Sequence, residues 1–156
     1  MGKSELKKTE AYELAEWEKM FREAESIKSE MKFYSREMSF LHSLLDRYML
    51  WLIEQESLSG LQMLNSKIKS TDEKCAEFIS KCDSLMNRLG LLIENPFTQD
   101  EHKIKESFTH VMEEVKSFQK EVKQIKSEVF DHVAHTLRTE KARRLLGEHE
   151  PDIKKA

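Results

Sequence analysis

Between Leu61 and Leu92 ten residues stand alternately three and four positions apart: Leu61, Leu64, Ile68, Thr71, Cys75, Phe78, Cys82, Leu85, Leu89 and Leu92. On a strand, successive side chains point to opposite faces, and this spacing would scatter them over both. On an α-helix it draws a single seam, the pattern of a coiled coil. Such a seam has to be covered by other helices of comparable length, and the chain offers two. The same alternation runs from Tyr34 through Met38, Leu41, Leu45 and Tyr48 to Leu52. It runs again from Ile104 through Phe108, Val111, Val115, Phe118, Val122 and Ile125 to Val129, then shifts to Val133 and Leu137. Only four Gly and two Pro occur in 156 residues, so few turns interrupt these stretches. No run alternates polar and apolar residues between turn signals as a strand would. The sequence therefore predicts an all-α fold, an antiparallel up-down-up bundle of three long helices.

The helices are expected at about 5–56, 60–93 and 98–146, within a single domain over 1–147; residues 148–156 read as a disordered tail. Serine pairs and a Pro mark the connections. Ser59 with Gln62, and Thr98 with Glu101, fit capping boxes, and Asp100 places negative charge where the helix dipole favours it. Asn95-Pro96 is a stop signal. Connections this short fold each helix back antiparallel on the last.

The first helix carries two irregularities. Its seam begins Leu14, Trp17, Phe21, Ala24 and then needs an extra three-residue step to Ile27, a stammer. A break near Ser26–Ser29 would turn three helices into four. Further along, a second apolar line, Phe33, Phe40, Leu44 and Trp51, flanks the seam. Together the two lines cover about 160° of the helix, where a surface helix needs about 100°. This segment expects neighbours on more than one side.

The middle helix is the shortest, which leaves two overhangs, one before about Phe21 and one beyond about Val133. Both carry apolar residues (Leu14, Trp17, Phe21; Leu137, Leu145, Leu146) that a lone helix cannot bury. Self-association, most simply a homodimer, is the expectation. The interface candidates are Phe33, Phe40, Leu44, Trp51, Trp17, Phe21 and Leu137.

No residue pattern commits the chain to a chemistry. A di-metal helical-bundle site needs Glu-x-x-His, and no His here has Glu three residues before it. His42 with Asp46, and His132 with His135, share a helix face, but two ligands do not hold a zinc ion. His110 stands apart from both pairs. Cys75 and Cys82, seven residues apart on a helix, are too far apart for a disulfide and read as small core residues. There is no phosphate loop and no nucleophile elbow. Neither a catalytic residue nor a cofactor is expected.

With 26 basic and 29 acidic side chains the net charge is −3, which makes no case for nucleic acid. The charged start MGKSELKK is not a signal peptide, and the most apolar run, Tyr48 to Ile53, is too short to span a bilayer. A cytoplasmic protein without a transmembrane segment is expected. Arg138, Lys141, Arg143 and Arg144 complement the dipole at the end of the third helix. The reading is a non-enzymatic interaction or scaffold protein that self-associates and presents helical surfaces to an unknown protein partner. Its rivals are a metal- or small-ligand-binding bundle using the Met- and aromatic-rich middle of helix one, and a peripheral membrane or regulatory module using the basic cluster.

Overall fold

A computed structural model describes residues 2–55, 58–97 and 100–145. Among the described residues four helices follow one another: α1 (Lys3–Arg47), α2 (Met49–Gln55), α3 (Leu58–Glu94) and α4 (Glu101–Leu145). Among the described residues there is no strand. α1 and α2 act as one interrupted rod, so the all-α bundle has three long rods. The expected tail, 148–156, lies outside the described residues.

All ten residues of the α3 seam are buried. Along α1 and α2 the buried line starts Trp17, Met20, Ala24 and continues through Met31, Met38, Leu41 and Leu45 to Leu52, with Ile27, Tyr34 and Tyr48 half-buried between them. Met20, and not Phe21, takes the seam. With Met20 in place the three-four alternation is unbroken, so no stammer is needed. Ser26–Ser29 is continuous helix.

Polar bonds at the rims fix the register. Between α1 and α4 the partners are Glu16 and Lys105, Glu30 and Gln119, and Glu37 and Lys126, each 89 residues apart. A constant offset means that the two helices run parallel. Between α3 and α4, Lys67, Lys74, Lys81 and Arg88 face Glu128, Glu121, Glu114 and Ser107. These partners climb by one heptad in α3 as they descend by one in α4, so that pair is antiparallel. Ser35 donates to Asp72 at 2.5 Å, and Lys28 meets Asp83 at 2.6 Å, which ties α1 to α3.

The first rod is interrupted at Tyr48, where φ is −102° and ψ is 11°. The hydrogen-bond ladder almost survives. Tyr48 still donates its N–H to the carbonyl of Leu44, and Leu52 donates to that of Tyr48. Arg143 binds Glu54 at 2.8 Å, again across 89 residues, so α2 keeps the register of α1 along α4. That offset places Tyr48 level with Leu137. One turn before this level, opposite residues 40–44 by the same offset, the α4 seam takes two four-residue steps in succession, Ile125 to Val129 to Val133, before Thr136 and Glu140. Such a stutter unwinds a helix locally. The interruption of the α1–α2 rod falls one turn beyond the phase slip of its parallel neighbour.

The connections also differ from expectation. α3 is helical from Leu58, the first described residue after the connection, so Ser59 lies within the helix. At α4 the cap is Asp100, whose Oδ1 accepts the N–H of Lys103 at 3.3 Å. Thr98 lies outside the described residues. Asn95 Oδ1 accepts the N–H of Phe97 at 3.2 Å, an Asx turn that closes the stop signal read at Asn95-Pro96.

Candidate functional site

The overhang expected at the start of the first helix is shorter than the lengths implied. Trp17 is only 4% exposed; with Met20 it packs against Leu89, Leu92 and Ile104, and half-buried Phe21 packs on this cluster. The indole Nε1 of Trp17 donates to Glu101 at 3.1 Å. Glu101 in turn holds Lys105, whose pKa is raised chiefly by that bond. Trp17 and Phe21 are thus covered by their own chain, because the start of α4 closes over them. They leave the set of residues that need an outside partner.

What projects is the arm before Trp17. The arm is helical from Lys3, but α3 ends at Glu94, near the level of Trp17. Tyr12 is 72% exposed and Leu14 38%. At the other end, α4 beyond Val133 is covered by α2, and Thr136 and Glu140 are buried there. Leu137, expected on the seam, lies outside it at 39% exposure, since the stutter moves the seam to Thr136.

The second apolar line of α1 lies on the open face between α1 and α4. Phe33 is 51% exposed and Phe40 57%. Leu44 is half-buried against the core, and half-buried Trp51 stacks on Tyr48 with ring centroids 5.6 Å apart. The register adds a residue that the heptad reading of α4 passed over. Glu37 is bonded to Lys126, so Phe40, one turn on in α1, lies beside Phe130, one turn on in α4. Phe130 is 47% exposed. One heptad after Phe130 comes Leu137. Two lines of exposed apolar residues at heptad spacing, Phe33 and Phe40 on one helix and Phe130 and Leu137 on the next, border a shallow groove floored by Leu44.

Cations crowd this face. Among the described residues Arg36, Arg47, Lys116, Lys120 and Lys123 are exposed, and none is paired with a carboxylate. Glu30 and Glu37 are each engaged through one oxygen, and the other oxygen of Glu37 is buried without a partner. Glu30 accepts from Gln119 at 2.8 Å and from the Tyr34 phenol, and Glu37 holds Lys126. Burial first, and then the Glu30 bond, raise the pKa of Tyr34, so it remains a neutral donor.

Across the molecule a cleft of about 560 Å³ lies between α1 and α3, lined by Met38, Ser39, His42, Asn65, Lys69 and Asp72 among others. Its His42 and Asp72 are bonded to near neighbours, His42 to Asp46 at 3.3 Å and Asp72 to Ser35. His102 and His110 likewise pair with the carboxylate one turn on, Glu106 and Glu114. Among the described residues no three His, Cys, Asp or Glu side chains come together to hold a metal. Cys75 and Cys82 are free and wholly buried, and burial pushes both thiols up to about 11. Among the described residues no helix is long and apolar enough to cross a membrane. No protein family, curated protein or solved structure matches the chain.

Proposed function

We propose that this is a non-enzymatic helical interaction protein, a scaffold whose α1–α4 face receives a protein partner. One observation carries the reading: Phe33, Phe40, Phe130 and Leu137 stand exposed at heptad spacing along a groove that the bundle does not cover. Contiguous apolar surface of this kind on a folded chain marks an interaction site. The unpaired buried thiols fit a reducing compartment, and the reading places the protein in the cytoplasm.

Self-association is a second reading, favoured by a different observation. The arm before Trp17 extends past the end of α3 with Tyr12 and Leu14 uncovered. A second copy's arm, laid alongside, would cover both. Sedimentation equilibrium at micromolar concentration tests this on the full chain and on a chain lacking the first fifteen residues. A dimer that dissociates on truncation supports arm pairing; a single 18.5 kDa species for the full chain overturns it.

A further inference from the structure

The face that carries the interaction reading also limits its occupant. Its walls are apolar, Phe40 on α1 and Phe130 and Leu137 on α4, and its floor is Leu44, which is more buried than they are. Leu44 therefore lies deeper than the side chains on either side of it. A flat bilayer surface would meet the walls and miss the floor, whereas the ridge of a helix reaches both. Heptad spacing on each wall, Phe33 to Phe40 and Phe130 to Leu137, is the spacing at which a docked helix repeats its own apolar residues.

Charge decides between a second copy and a different protein. Among the described residues Arg36, Lys116, Lys120 and Lys123 flank the groove without partners and outnumber the carboxylates of these helix lines that lack an ion pair, Glu23 and Glu113, while Glu30 and Glu37 are each bonded through one oxygen, to Gln119 and Tyr34 and to Lys126. A second copy turned face to face would bring these cations against their own counterparts, and like charges set together at an interface select against that partner. An acidic rim would neutralise them. We infer that the groove between α1 and α4, floored by Leu44, binds an acidic amphipathic helix of another protein. This rests on the reading of the chain as an interaction protein, and deepens it by naming the partner's chemistry.

Two synthetic helices of three heptads test it, each with Leu on its seam. One has Glu on both rims and the other Lys. Each is labelled and titrated with the full chain, with fluorescence anisotropy as the readout. The Glu-rimmed helix is expected to bind at least about tenfold more tightly and to weaken as salt is raised. Phe40→Glu and Lys123→Glu should each lower that affinity about tenfold or more, with the helical circular dichroism unchanged. Equal binding of the two helices keeps the interaction reading and overturns the inference. Binding of neither overturns both. Phosphatidylserine vesicles that co-sediment with the parent but not with Phe40→Glu would assign the face to a membrane and overturn it. So would a dimer, seen by sedimentation, that Phe40→Glu dissociates.

Discussion

The two ends of the bundle are closed by different chemistry. Where α3 turns into α4, the seam residues are Trp17, Met20, Leu89, Leu92 and Ile104, all apolar, and the one polar atom among them, the indole N–H, has its acceptor in Glu101. Where α2 docks on α4, the seam passes through Thr136 and Glu140, 1% and 7% exposed. The Thr136 hydroxyl is buried without a hydrogen-bond partner. Glu140 has Arg143 and Arg144 at 3.9 Å each, beyond hydrogen-bonding reach. A seam threonine is not itself the weakness. Thr71, on the α3 seam, donates its hydroxyl to the carbonyl of Lys67 at 2.8 Å. A buried polar group is tolerated when it has a partner and costs about 1–3 kcal/mol when it has none. The first end should therefore hold the bundle together, and the second should be where it opens first.

The largest effect expected is at the apolar end. Trp17→Ala removes a large buried side chain and should cost about 3–5 kcal/mol, read as a lower urea midpoint at unchanged slope. If truncating Thr136 to Ala costs as much as Trp17→Ala, the two ends do not differ in the way argued.

The next effect has the opposite sign. Thr136→Val keeps the shape and deletes the unpartnered hydroxyl, so stability should rise by about 1 kcal/mol. Thr71→Val deletes a hydroxyl that is bonded, and should give no such gain. A common response of the two variants in thermal unfolding would show that the partner of Thr71 is irrelevant and would remove the basis of the contrast.

These seam residues also show what the sequence could and could not reveal. α3 was legible throughout, because its heptads are regular and nine of its ten seam residues are apolar. In α1 the pattern misled at one position. Phe21 is larger and more apolar than Met20, so an apolar reading prefers it and creates a stammer, whereas packing puts Met20 on the seam. The interruption at Tyr48 has no Gly or Pro beside it to announce it. Thr136 and Glu140 escape a search for apolar periodicity by their nature, and Leu137, one position on, draws it off the seam. The candidate groove was half legible. Phe33, Phe40 and Leu44 stood out as a second line on one helix. Phe130 became its opposite wall only once the constant offset between α1 and α4 was known.

A smaller effect concerns the thiols in the middle of α3. Cys75 and Cys82 are raised from 9.0 to about 11, by burial first and by Asp72 and Asp83 second. The unfolded chain then releases these protons before the folded one does. Their contribution is complete below pH 9 and is lost as pH rises from 9 towards 11. Chemical denaturation at pH 8 and pH 10 should show the parent losing more stability over that interval than a Cys75→Ala, Cys82→Ala variant. Native-state alkylation should be slow at both sites, and rapid modification by a bulky reagent would place them outside the core.

The smallest effect comes from the ladder of Lys67, Lys74 and Lys81 against Glu128, Glu121 and Glu114. Each member keeps roughly a third to a half of its side chain in water, 31–49%. Exposed ion pairs contribute about 0–1 kcal/mol, and salt screens them. Lys74→Ala should therefore barely move the melting temperature at physiological ionic strength. What the ladder does is repeat at one heptad, so a slip of α3 past α4 by less than a heptad breaks every rung at once. Reversing all three lysines to glutamate should destabilise far more than three single Ala changes, because each rung then sets like charges together. Adding the triple Glu114→Lys, Glu121→Lys and Glu128→Lys exchange should restore most of the loss at low salt. If the sixfold exchange stays as unstable as the triple reversal, the rungs do not pair as described, and the register of α3 on α4 is held by the seam alone.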